Sequence, residues 1–160
     1  MAECQDRSRR AVVREGDGQR LVSGPPMPCV VILDHLRSAF NVGNVFRLAE
    51  ATRVERILTC GYTATPPHPK LAKTARGCDC LVPCTHVDDA AAALAGLREA
   101  GTTVYGVETV TGASSVWETS FRFPMALVLG NEALGISPAA LELCDEFVEL
   151  PCCGIKNSIN

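Results

Sequence analysis

The sequence predicts an α/β fold, a mostly parallel sheet flanked by helices, and three observations carry that prediction. Short β-branched apolar runs alternate with helical stretches along the chain. Polar clusters follow three of those runs, where a parallel sheet places its ligand crevice. With 160 residues, 47% of them hydrophobic and 21% charged, the chain has the composition of one ordinary globular domain. A domain of that size buries about 70% of the surface its unfolded chain exposes.

Residues 1–24 show neither helical nor strand periodicity and end in Gly24-Pro25-Pro26, so they are expected to be a flexible arm, with one domain over residues 25–160. The strand runs are Cys29 to Leu33, Arg56 to Cys60, Leu81 to Val82, Thr103 to Val107, Ala126 to Leu129 and Phe147 to Leu150. Between them, Val42 to Ala51 carries apolar residues at Val42, Val45, Phe46 and Ala49, the spacing of one buried helix face. Asp88 to Ala100 is rich in Ala and Leu and stops at Gly101. Ser137-Pro138 supplies an N-cap and a first-turn proline for a helix running to Leu143.

Nine cysteines are an odd number, and the N-terminus lacks the apolar stretch of a secretory signal, which together point to reduced thiols and a cytoplasmic protein. No apolar run approaches the ~20 residues of a membrane span. A net charge of −3 and a pI near 5.6 give no global attraction to nucleic acid, so RNA contact would need a local basic patch. Arg37, Arg47, Arg53 and Arg56 and the run Lys70, Lys73, Arg76 are candidates. The arginines before residue 24 are interspersed with Glu3, Asp6, Glu15 and Asp17 and read more simply as solvated surface.

The dinucleotide fingerprint Gly-x-Gly-x-x-Gly and the phosphate-binding Gly-x-x-x-x-Gly-Lys-Ser/Thr are both absent. In their place stand Arg37-x3-Asn41-x-Gly43-x3-Arg47, then Leu129-Gly130-Asn131-Glu132-x2-Gly135, then Leu150-Pro151-x2-Gly154-x3-Ser158-x-Asn160. Glycine at position 43 is expected to let the backbone turn tightly. Arg47 falls beside the apolar stripe, where a guanidinium can reach a phosphate or a developing oxyanion.

Taken in this order, the three clusters resemble the motifs of the SpoU/TrmH-type RNA ribose 2′-O-methyltransferases of the SPOUT superfamily, from about Val30 to Asn160. Lys73-Thr74-Ala75-Arg76-Gly77 is similar to a further stretch of such proteins. The resemblance implies an S-adenosylmethionine (SAM) enzyme acting on tRNA or rRNA, a homodimer, and a sheet ending in a C-terminal trefoil knot. It assigns Leu129, Gly130, Asn131, Leu150, Pro151 and Ser158 to the cofactor. Arg47, Asn41, Glu132, Ser158 and Asn160 would make the catalytic set, with Arg47 acting on the 2′-hydroxyl. An arginine is always protonated in proteins, so its expected work is to donate hydrogen bonds as charge grows on the oxygen.

Cys78-x-Cys80-x3-Cys84-x-His86 could be read as a metal site, but its spacing is not that of a zinc finger, and the cysteines read as small buried residues. No metal is expected. His35 and His68 are expected in loops or on the surface, and the dispersed Trp117, Tyr62 and Tyr105 argue against an aromatic platform for single strands. The family usually continues into a further helix after the third motif, so the domain is expected to be truncated at its C-terminal end. That keeps open an inactive RNA-binding or scaffold protein of the same fold and, behind it, a nucleotide-dependent small-molecule enzyme.

Overall fold

The computed structural model describes residues 25–152 and Gly154, so the expected arm and the candidate residues Ser158 and Asn160 lie outside the described residues. Among the described residues, seven strands form one sheet: β1 (Met27–Asp34), β2 (Val54–Cys60), β3 (Cys84–Val87), β4 (Thr103–Val107), β5 (Ser114–Ser115), β6 (Met125–Leu129) and β7 (Glu146–Glu149). Their order is β3-β2-β1-β6-β4-β7-β5, and every neighbouring pair is parallel. Among the described residues four α-helices accompany them: α1 (Ala39–Thr52), α2 (Pro69–Ala75), α3 (Ala90–Glu99) and α4 (Pro138–Leu141).

Two-residue periodicity in the strands divides the core between the two faces of the sheet. Cys29, Val31 and Leu33 of β1 pack with Val42, Phe46 and Ala49 of α1 and with Leu71 and Ala75 of α2. Val30 and Ile32 point to the other face and join Leu94 of α3 and Ala140 of α4. Both faces are covered, as a parallel sheet requires. Among the described residues no helix is long and apolar enough to cross a membrane.

Several expectations need correction. The strand expected at Leu81 to Val82 is instead β3, Cys84–Val87. Val82 is buried in the turn after a short 3-10 helix, Cys78–Cys80, and its apolarity reflects that plug. Gly43 lies inside α1 and makes no tight turn; a Cβ there would overlap Thr74 Oγ1 and the Leu71 carbonyl oxygen, so the glycine lets α1 and α2 cross closely. The expected trefoil knot depends on chain that runs beyond the described residues.

Candidate active site

Topology places the site. The chain winds from β1 outward to β2 and β3 on one side, then returns to build β4, β6 and β7 on the other, and the crevice opens at the C-terminal ends of the strands about that reversal. A cavity of about 480 Å³ lies there, a size suited to a small ligand. Its walls come from α1 (Asn41, Asn44, Leu48), the end of β4 (Glu108), the β6 loop (Leu129 to Glu132) and Leu150 after β7.

The β6 loop is rigid by construction. Asn131 and Gly135 exchange both backbone hydrogen bonds at 2.9 Å, with Gly135 at φ +72° where a left-handed turn suits glycine. The Asn131 side chain is only 6% exposed and is wholly engaged: Oδ1 accepts from Ala133 N (2.8 Å) and Leu134 N (3.0 Å). Its Nδ2 donates to the His35 carbonyl (2.8 Å) and the Tyr62 hydroxyl (2.7 Å). Asn131 therefore shapes the cavity, and what it can offer a ligand there is backbone. At Gly130 a Cβ would strike Ile136 N and the Gly135 carbonyl group, so no other residue fits that wall.

Glu132 reaches back from this loop to the start of α1. Its Oε2 accepts from Arg37 N (2.9 Å), and its Oε1 accepts from Ser38 N (3.1 Å) and Asn41 Nδ2 (2.8 Å). Ser38 caps the helix itself, accepting from Asn41 N at 3.2 Å. Burial alone would raise the Glu132 carboxyl, but the hydrogen bonds from Arg37 N, its own backbone N–H, Asn41 and Ser38 outweigh it and hold the group below the usual carboxylate value. The acid thus sits at a helix start, that of α1, where the macrodipole also favours it.

The structure brings together Asn41, Glu132, Leu129, Gly130, Asn131 and Leu150 on one cavity. Pro151 is exposed beside Leu150 and is not part of the wall. Arg47 is exposed on α1, about 60° round the helix from the cavity-lining Asn44, and forms no ion pair among the described residues.

Three contributors escaped the sequence reading. Glu108 follows β4 and lines the cavity, with Oε2 accepting from Ile136 N at 3.1 Å. Asp34 is fully buried at the end of β1, its Oδ2 accepting from Ser137 N (2.8 Å) and its Oδ1 2.6 Å from His35 Nδ1. Tyr62 packs edge-on against His35 at 5.0 Å between centroids. A polar residue at the end of an apolar strand was the available signal for both acids. His35 is thus built into the turn after β1, and His68 caps α2 by accepting from Leu71 N at 3.3 Å. Ser137 starts α4 with its backbone, since its side chain makes no cap bond.

Cys29 and Cys60 are buried in the core, whereas Cys80 is exposed and disulfide-bonded, which corrects the expectation that the thiols are all reduced. Burial, then the charges of Asp34 and Asp89, pushes Cys60 up to about 12, and burial raises Cys84 as well. Among the described residues no group of three or more His, Cys, Asp or Glu is placed to hold a metal ion.

A parallel α/β domain with a glycine-walled crevice at its strand ends defines a class of nucleoside- or nucleotide-binding proteins. The chain belongs to the SpoU rRNA methylase family, whose model matches residues 28–160. It is 30% identical over 131 residues to a Staphylococcus haemolyticus protein described as a TrmH family tRNA/rRNA methyltransferase, covering 82% of this chain and 52% of that one. It is 26% identical to RlmB of Vibrio parahaemolyticus, a 23S rRNA (guanosine-2′-O-)-methyltransferase, over 92% of this chain and 60% of the relative. The chain thus spans little more than half the length of these relatives. Among solved structures, the SpoU methyltransferase AviRb from Streptomyces viridochromogenes in complex with AdoMet superposes with a TM-score of 0.72 at 28% identity, covering 82% of this chain and 51% of that one.

Proposed function

We propose that the chain is the catalytic domain of a SAM-dependent RNA methyltransferase that modifies a ribose 2′-hydroxyl of tRNA or rRNA. The observation that carries the reading is the Glu132 bridge, which joins the glycine-walled cavity to the helix bearing Asn41 and Arg47. SAM suits the cavity by the chemistry of its walls: Gly130 contributes backbone, Leu129 and Leu150 supply apolar surface for a base, and among the described residues no Lys or Arg lines it to call for phosphate. The 2′-O assignment is supported by RlmB, and the cofactor by AviRb.

SAM supplies a methyl group on a cationic sulfur, and the chain's task is to hold the hydroxyl in line with it. Bound SAM would supply the methyl group and leave as S-adenosylhomocysteine, and the proton released from the 2′-hydroxyl would pass to bulk water. Arg47, exposed on the helix whose Asn44 and Leu48 line the cavity, would donate hydrogen bonds to the ribose oxygen or its phosphate as charge develops, worth roughly 3 to 4 kcal/mol in a closed site. Glu132 is the wrong group for the base: it already accepts three hydrogen bonds, and they keep its carboxyl a weak proton acceptor. It is a positioning residue that holds Asn41. Ser158 and Asn160 are assigned to the same site by their place in the third motif, and Pro151, outside the wall, is left as a neighbour of Leu150.

Exposed Leu48, Leu134 and Leu150 near the crevice support a homodimer. A cytoplasmic location would suit the RNA substrate. Incubating the protein with radiolabelled SAM and total RNA, then hydrolysing in alkali, tests the reading. Label is expected in alkali-resistant dinucleotides; label only in mononucleotides, on a base, would overturn the 2′-O assignment.

A further inference from the structure

We propose that Glu108 is the cofactor-discriminating residue of this cavity, a carboxylate that accepts hydrogen bonds from the ribose diol of the bound adenosyl group. The inference rests on the SAM reading above.

Register locates the residue. β4 and β6 are adjacent and parallel, and Val107 pairs with Leu129, so Glu108 leaves β4 at the level where Gly130 leaves β6. Neighbouring strands lie about 4.8 Å apart, which puts an acid beside the wall against which the cofactor's backbone-held part must rest. α/β folds that bind adenosine use this pairing of a glycine turn on one strand with an acid at the end of another, because a carboxylate can accept both hydroxyls of a ribose.

The side chain is also fixed in advance. Oε2 accepts from Ile136 N at 3.1 Å and lies so close to Gly135 that a Cβ there would collide with it. Oε1 accepts from Thr109 N, its neighbour in sequence, at 3.3 Å. A carboxylate has about four lone-pair directions, so both oxygens keep capacity for a ligand. Glu108 lines the cavity and is only half-buried, so that capacity faces the space a ligand would fill. Anchoring Ile136 N alone would need no charge, since a glutamine oxygen serves as well. An acid at this spot also repels a phosphate on the same ribose, selecting an adenosyl group without one.

Calorimetric titration of S-adenosylhomocysteine and its 2′-deoxy and 3′-deoxy analogues tests the assignment. The unaltered protein should bind the deoxy analogues about 10-fold more weakly than the parent compound. Glu108→Gln should bind SAM and S-adenosylhomocysteine weaker by a similar factor while no longer distinguishing the deoxy analogues, with an unfolding midpoint close to wild type. Equal binding of all three compounds by the unaltered protein overturns the proposal without any variant. So does a Glu108→Gln protein that loses SAM but keeps S-adenosylhomocysteine, which would mark a charge contact with the sulfonium. If the unaltered protein binds neither SAM nor S-adenosylhomocysteine, the SAM reading itself fails; intact binding with unchanged discrimination in Glu108→Gln overturns the diol contact alone.

Discussion

Asn41 and Glu132 stand 91 positions apart in sequence and meet through a single hydrogen bond, Nδ2 to Oε1, of 2.8 Å. Together with the two backbone N–H groups of Arg37 and Ser38, that bond ties the β6 loop to the first turn of α1. The wall proposed to hold SAM and the helix proposed to meet RNA are therefore joined directly. Methyl transfer depends on the in-line approach of groups held by those two parts, so a small misalignment there costs far more rate than stability.

Glu132→Ala should consequently cut methyl transfer by about 10-fold to 100-fold while lowering stability by only about 1 kcal/mol, because the carboxylate is exposed and water can replace it. The pH dependence follows from the sign of the shift. The folded carboxyl is held below its unfolded value, so its stabilising contribution is complete above about pH 4.3 and is lost as pH falls through the depressed folded value. Urea denaturation of wild type and Glu132→Gln should differ at pH 7 and converge in acid. A constant difference across that window would contradict the assignment.

Arg47→Ala should leave SAM affinity nearly unchanged and reduce methyl transfer about 100-fold or more, since the guanidinium lies outside the cavity wall and is assigned to the ribose oxygen. Arg47→Lys should restore little, because a point charge cannot reproduce the two-pronged donor. Single-turnover kinetics with saturating SAM separate the two effects. Wild-type rates from either variant would remove Arg47 from the mechanism.

Much of the fold was legible because buried parallel strands are written as continuous apolar runs. Val30 to Leu33, Ile57 to Cys60 and Val104 to Tyr105 could be read directly, and all are buried. β3 was misplaced because it is an edge strand with exposed Thr85 and His86, so no apolar signal marks it, while buried Val82 supplies a false one. α2 is too short for a helical period to emerge, although His68-Pro69 marks its start. At the site, residue types were readable and partnerships were not. Asn131 is consumed by loop closure and Glu132 by a helix remote in sequence, and those bonds exist only once β1 and β6 lie side by side.

Asn131 should be the most stability-sensitive polar residue of the site. Asn131→Ala strands the part-buried Ala133 and Leu134 N–H groups and the His35 carbonyl, at about 2 to 3 kcal/mol. Asn131→Asp keeps both acceptors but sets an oxygen against the His35 carbonyl, so it should cost a similar amount. Tyr62→Phe should cost under about 1 kcal/mol, since Tyr62 is 60% exposed and loses one bond. Chemical denaturation ranks the three. A neutral Asn131→Asp would show that the His35 contact carries no weight.

SAM should stabilise the protein where ATP and NAD do not. Among the described residues the cavity wall offers Glu108, Glu132 and Glu149 and neither Lys nor Arg, and the sequence lacks both phosphate-binding fingerprints, so a triphosphate or pyrophosphate would meet like charge at that wall. SAM carries a sulfonium and an ammonium against one carboxylate and meets the same wall favourably. At 100 times its dissociation constant, a ligand that binds only the folded state adds about 2.7 kcal/mol, enough for a clear rise in the thermal midpoint of a domain this size. The measurement is a thermal-shift series at fixed ionic strength, with ATP and NAD at the same concentrations as SAM. A midpoint raised by ATP or NAD and unmoved by SAM would mean that the carboxylates do not govern what enters the cavity, and the cofactor assignment would fall with them.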